Sequence, residues 1–307
     1  MPADRSSRSK VVGPVLRWYR HMGRTLPWRG TREPYRVLLS EIMLQQTQVA
    51  RVLEKYPEFL RRFPTLRALS LAERRDVVIA WRGMGYNNRA VRLHLLARTV
   101  MDNHRGTLPA SEDALMTLPG IGKYTARAIL SSVHRQPAAV VDVNVRRFFS
   151  RVFFRMKTEN DRCGEADAWR LADRLIPPRR GYDWNQALMD IGATVCTSRR
   201  PRCGICPVAN SCRSRTGMIS ASPHREHRER GFRGVPNRIY RGRIVDVLRT
   251  GTEEITWRID DVGREILPAY GKDQRPWLNR ILRSLEADGL ILVGRSRSGA
   301  SSVVSLA

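Results

Sequence analysis

The chain has 307 residues, 55 of them Lys or Arg and 29 Asp or Glu, a formal net charge of +26. A surplus of this size excludes an ordinary acidic enzyme and makes nucleic acid the leading partner, because such a polycation repels itself unless a polyanion compensates it. Apolar residues make up 42% of the chain, enough to bury one large or two modest cores, which excludes wholesale disorder.

Residues 1–10 (MPADRSSRSK) are polar and read as a disordered tail with no apolar segment behind it, and no window reaches 18 consecutive apolar residues. Neither a secretory signal nor a membrane span is expected, so the protein is placed in the cytoplasm, associated with the nucleoid. From Val11 to about Ile191 apolar residues recur every three or four positions, as at Leu38, Ile42, Val49, Val52, Leu53, Tyr56 and Leu60. Breaks at Phe63-Pro64, Gly83-Met84-Gly85, Gly106 to Pro109, Pro119-Gly120 and Pro177-Pro178 cut this stretch into roughly ten helices. An all-α domain over 11–212 follows, closed by a cysteine loop at 196–212. Residues 213–236 carry Arg, Ser, Gly and Pro with few large apolar groups and read as a basic linker. Over 237–307 the pattern predicts helices near Gly242–Arg249, Ile255–Leu267 and Trp277–Asp288. Two β-like runs, Leu290–Val293 and Ser302–Leu306, then flank a polar turn at 295–299, a winged-helix-like arrangement.

Two motifs carry chemistry by themselves. Leu118-Pro119-Gly120-Ile121-Gly122 precedes the helical run from Lys123. Its glycines permit a tight turn that directs backbone N–H groups at the start of a helix, where the dipole favours a phosphate. Such a hairpin holds DNA backbone without reading sequence. The second motif is Cys196, Cys203, Cys206 and Cys212, with six, two and five residues between ligands. Four thiolates suit zinc or a [4Fe–4S] cluster; a single C-x-x-C knuckle leans toward the cluster. Cys163 has no partner at a useful spacing and reads as a small buried residue.

The chain resembles the helix-hairpin-helix DNA glycosylases of the endonuclease III superfamily, and within them the MutY-type adenine glycosylases. The resemblance covers about Val11 to Cys212. It rests on Leu26-Pro27-Trp28-Arg29, the run Ser40 to Val49, Gly83-Met84-Gly85-Tyr86, LPGIGKYTA, Val141-Asp142-Val143-Asn144, Asn185 to Asp190 and the cysteine spacing. It implies a two-lobed helical fold, a [4Fe–4S] cluster rather than zinc, and a monovalent cation at the hairpin. It further implies a monomer acting on double-stranded DNA that contains a mismatch or an oxidised base.

Purine excision needs a proton for the leaving base and a negative charge beside the developing sugar cation. Glu41 lies among Leu38, Leu39, Ile42 and Leu44, surroundings that favour the protonated acid, and the resemblance makes it the acid. It could equally belong to a polar helix face with Gln45 and Gln48. Asp142 reads as a helix N-cap, with Asn144 in the turn it opens, and the resemblance gives it the sugar cation; backbone N–H bonds favour the ionised form that this role needs. By the same resemblance Gln46 and Tyr86 wedge into the base stack after flipping, with Gln45 and Thr47 beside them, and Arg29 and Gln186 contact the base. Bifunctional relatives carry a Lys where Tyr124 stands, and a phenol forms no Schiff base. Lys123 is rotated about 100° around the helix, so excision without an efficient lyase step is expected. The rival readings are a thymine or uracil glycosylase acting opposite guanine, and a cluster-bearing DNA-binding regulator without catalysis.

Overall fold

The computed structural model describes residues 5–156, 158, 161–215, 231–250, 256–295 and 302–307. Two compact units emerge. The first holds 1–38, 109–117 and 121–226; the second holds 39–108, 118–120 and 227–307. Among the described residues no helix is long and apolar enough to cross a membrane.

The helices of the first unit are α1 (Arg5–Met22), α7 (Glu112–Met116), α8 (Lys123–Ser132), α9 (Val143–Phe153), α10 (Glu165–Leu175) and α11 (Gly181–Thr194). The helix α1 starts inside the segment whose composition predicts a tail. Its Val11, Val15 and Leu16 join Phe148 and Phe149 of α9 and Trp184 of α11 in one apolar core. Asp142 closes the start of α9 by accepting from the amides of Asn144 and Val145, as its sequence context predicts. Ser111 does the same for α7.

Helix α2 (Pro34–Leu44) leads into the second unit, which continues with α3 (Val49–Arg62), α4 (Leu66–Leu71), α5 (Arg74–Ala80) and α6 (Asn88–Asn103). On α3 the buried Val52, Tyr56 and Phe59 fall at i, i+4 and i+7 on one face; of the other positions the spacing marks as apolar, Val49 and Leu60 are half-buried and Leu53 is exposed, because the buried face centres on Phe59 instead. Phe59 meets Trp81 edge to face at 5.7 Å.

A hairpin of β1 (Gly231–Phe232) and β2 (Val235–Pro236) lies within the stretch read as linker, and residues 216–230 of that stretch are outside the described ones. Beyond it come α12 (Asn237–Leu248), β3 (Trp257–Arg258), α13 (Ile259–Ile266), α14 (Arg275–Ala287), β4 (Ile291–Arg295) and β5 (Ser302–Leu306). The sheet runs β3-β5-β4, antiparallel throughout, with Trp257 opposite Val304 and Val293 opposite Val304 on the other side. This order is compatible with the winged-helix expectation; residues 296–299 of the expected turn lie outside the described residues. Two-residue β3 is too short to leave an alternation in the sequence. The segment does not stand apart: it clusters with 39–108 in one unit. Arg249, just past α12, donates to the carbonyl of Val78 at 2.9 Å and to Asn87 Oδ1 at 3.0 Å while pairing with Asp246 at 2.5 Å.

Candidate active site

Glu41 sits on α2 at 9% exposure, between fully buried Leu38, Leu39 and Met43. Leu44 and Gln45 are half-buried, and the chain then leaves the helix at Gln46, which is exposed and left-handed at φ 56°. Tyr86 is the counterpart on the loop between α5 and α6: φ 45° and 47% exposure. A left-handed conformation costs a non-glycine residue about 1–2 kcal/mol, so the surroundings must hold it. Thr47 is not free to meet DNA with its hydroxyl, which donates to the Met84 carbonyl at 3.2 Å and accepts from Arg89 at 2.8 Å.

In the first unit, Asp142 Oδ1 accepts from the amides of Asn144 (2.9 Å) and Val145 (2.7 Å), and Oδ2 accepts from Asn144 Nδ2 (2.9 Å). Asn144 Oδ1 in turn accepts from Arg147, whose guanidinium also donates to the carbonyls of Gly192 and Cys196. A continuous hydrogen-bonded path therefore runs from Asp142 to the first cysteine of the loop. The Asn144 amide fixes the carboxylate plane.

The hairpin turns at Gly120, whose φ of 80° suits glycine, and Gly122 is the extended N-cap of α8 with no side chain to offer. Leu118 is buried beneath it. Exposed Lys123 lies over the Trp169 ring at 4.6 Å, whereas Tyr124 directs its hydroxyl to Met189 Sδ at 3.3 Å. The two neighbours do diverge around the helix, as the rotation predicts. Gln186 is buried on α11, one turn before Asp190.

Arg29 is engaged more fully than a base-contacting residue needs to be. Its Nη1 and Nη2 each lie 2.8 Å from an oxygen of Asp190, which is completely buried and also accepts from Arg24. Burial alone favours the neutral acid at Asp190, yet the fork from Arg29 and the hydrogen bonds from Arg24 hold its carboxyl below the usual range. Only the buried Nε of Arg29 is left without a partner. The sequence motif contains Asp190 but does not reveal this pairing, because Arg29 and Asp190 are 161 residues apart.

The four cysteines line one pocket walled by Phe148, Val152, Val195 and Pro201. Burial, with the neighbouring thiols adding to it, pushes the Cys206 thiol up to about 11. Four thiolates here therefore need a cationic centre among them. Among the described residues no group of three or more His, Cys, Asp or Glu is placed to hold a single metal ion. The donor set fits the cluster. Arg151 fastens the loop through the carbonyls of Thr197 and Ser198, with Nη1 3.4 Å from Cys196 Sγ. Cys163 is buried and bonded to Ser150, apart from this set.

A family model for HhH-GPD superfamily base excision DNA repair proteins matches residues 39–174, and one for the iron–sulfur binding domain of endonuclease III matches 196–212. An adenine DNA glycosylase of Mycobacterium tuberculosis is 38% identical over 305 residues, covering 92% of this chain and 92% of its own. The chain belongs to the adenine DNA glycosylase family. The member of that family from Homo sapiens is 40% identical over 69% of this chain and 42% of its own length. Among solved structures, a thermostable thymine-DNA glycosylase aligns with a TM-score of 0.65 and 31% identity, covering 70% of this chain and 99% of that one. A trapped covalent endonuclease III–DNA intermediate aligns at 0.58 and 22% identity over 67% of this chain, showing the same fold. This glycosylase is thus a base-excision hydrolase of N-glycosyl bonds acting on DNA, and residues 196–212 are its [4Fe–4S] loop. The reading as a regulator without catalysis falls with that assignment.

Proposed function

We propose that the enzyme removes adenine mispaired with 8-oxoguanine or guanine, as a monomer on the nucleoid, by hydrolysis without a lyase step. The observation that carries this reading is the pair of carboxyl environments. Glu41 is buried among leucines, suited to delivering a proton to the leaving purine, and Asp142 is held by two amides and the Asn144 side chain, suited to facing the oxocarbenium-like sugar. Asn144 orients Asp142. Gln46 and Tyr86 fill the stack, Gln45 and Gln186 contact the extruded base and its surroundings, and the backbone at Leu118–Gly122 takes a phosphate, with a monovalent cation at the turn. Arg29 positions its segment through Asp190, and its second Nη2 hydrogen, which no bond in the fork uses, is what it can offer the base. Tyr124 supplies no amine, and Lys123 is held over Trp169, so neither supports a Schiff base. The cluster, when bound, supplies no proton or nucleophile to this chemistry; the residues around it fix α9 and with it Asp142.

The thymine-DNA glycosylase likeness keeps a second reading in play, excision of thymine or uracil opposite guanine. Single-turnover cleavage after hot alkali, on duplexes with A opposite 8-oxoguanine, A opposite G, T opposite G and U opposite G, tests both. Cleavage confined to the adenine duplexes is expected. Preferential cleavage of T or U opposite G would replace the first reading with the second.

A further inference from the structure

Arg89 opens α6 directly after the Tyr86 loop and is only 6% exposed. Its Nη1 donates to the carbonyls of Ile42 (2.9 Å), Met43 (2.9 Å) and Gln45 (2.5 Å), the end of α2 and the step before Gln46. Its Nη2 donates to Thr47 Oγ1 (2.8 Å) and to the carbonyls of Met84 (2.9 Å) and Gly85 (3.0 Å), the step before Tyr86. Its Nε reaches the Tyr86 carbonyl at 3.4 Å, and its guanidinium lies 5.8 Å from the Tyr86 ring. Among the described residues no carboxylate forms an ion pair with it, and burial draws its pKa down to about 10. A cation accepted into the interior without a counter-ion is costly, so its contribution must lie in the geometry it enforces.

That geometry is a planar fork whose two ends grip two separate loops. Each loop puts a side chain forward from a left-handed residue, Gln46 on one and Tyr86 on the other. The Thr47 hydroxyl and Trp81 Nε1, which donates to the Gly85 carbonyl at 3.2 Å, brace the same junction. A lysine could not replace the fork, since one ammonium has three donors on a flexible stem.

We infer that Arg89 is a positioning residue that locks the Gln46 and Tyr86 loops into one rigid wedge, so that the two side chains enter the base stack as a single unit. This rests on the proposed roles of Gln46 and Tyr86, and the experiment separates the two claims. The full-length, cluster-loaded protein is assayed on a duplex carrying 2-aminopurine at the target adenine, with fluorescence amplitude at saturation reporting extrusion and anisotropy reporting binding. The R89K variant is expected to bind within about 3-fold of wild type while its extrusion amplitude and single-turnover excision fall about 10-fold or more. Adding Q46A or Y86A to R89K should then cost less than about 3-fold, although each alone costs about 10-fold, because the wedge they belong to is already unlocked. If Q46A and Y86A alone leave the amplitude unchanged, the wedge assignment itself fails. If they lower it while R89K does not, or if their losses multiply with that of R89K, the positioning claim is overturned. Should R89K lose its iron or its thermal transition, T47V takes its place, removing one acceptor of the fork and the bridge to Met84. A folded T47V with wild-type amplitude would also count against the lock.

Discussion

Arg29 in the first unit and Arg89 in the second are both buried arginines that hold distant pieces of chain, yet they are satisfied by opposite chemistry. Arg29 meets the carboxylate of Asp190, shared with Arg24, whereas Arg89 meets carbonyl oxygens and one hydroxyl. The ionic fastening makes stability depend on a specific partner, because removing either charge strands the other in the interior. The neutral fastening spends the cation's solvation on holding an orientation and returns little net stability. Disturbing the first should therefore appear in denaturation, and disturbing the second in base extrusion.

The largest effect expected is on the chemistry that both fastenings serve. Glu41→Gln keeps the shape of the side chain and cannot donate a proton, so single-turnover excision should drop by about 10³-fold or more with DNA affinity nearly unchanged. Wild-type excision by this variant would remove Glu41 from its role. Asp142→Asn should lose about 10²-fold or more, since an amide gives the sugar cation no charge.

Asp190→Asn is the sharpest test of the contrast. It should destabilise the protein by about 3–5 kcal/mol in denaturant titrations near neutrality, because Arg29 is left buried without its carboxylate. The Asp190 carboxyl is held below its ordinary value in the folded state, so its contribution is fully present above an unfolded pKa of about 3.9 and disappears as pH falls through the folded value. The difference between wild type and variant should thus be constant from pH 6 to 7, to within about 0.5 kcal/mol, and shrink below about pH 4. A gap that persisted undiminished at acid pH would show that something other than the ion pair is lost.

Cys203→Ser should reduce iron content below the roughly four atoms per chain of this cluster type and weaken DNA binding, whereas Cys163→Ser, away from the loop, should do neither. The smallest effect is expected for Arg249→Ala, which removes the donor to Val78 and Asn87. About 1–3 kcal/mol of stability should go, with excision of adenine reduced less than by R89K, since Arg249 holds the Tyr86 loop only through the Asn87 side chain and not through the backbone at Tyr86.

Helical periodicity, the Asp142 cap, the diverging Lys123 and Tyr124 and the cysteine loop were legible in the sequence because each is local: a spacing, a cap or a one-residue offset. The arginines were not. Fifty of them in one chain give no sign of which are buried, and the distant partners that set the roles of Arg29, Arg89 and Arg249 lie 161, 42–47 and 162–171 residues away. The base contact expected of Arg29 and the DNA contact expected of Thr47 come from a motif that preserves residue type, and their side chains turn out to be committed to protein partners. Two-residue β3 escaped because alternation needs a longer run.

Neither compact unit is a continuous stretch of chain, and this bears on how the protein is made. Arg29 leaves the ribosome 161 residues before Asp190, which at 5–20 residues per second is roughly 8–32 s of synthesis. Throughout that interval α1 has no α11 to close its core, and 39–108 likewise waits for Arg249. The nascent polypeptide therefore carries two half-built hydrophobic surfaces at once, and its folding yield in the cell depends on how well they are shielded until the last third of translation.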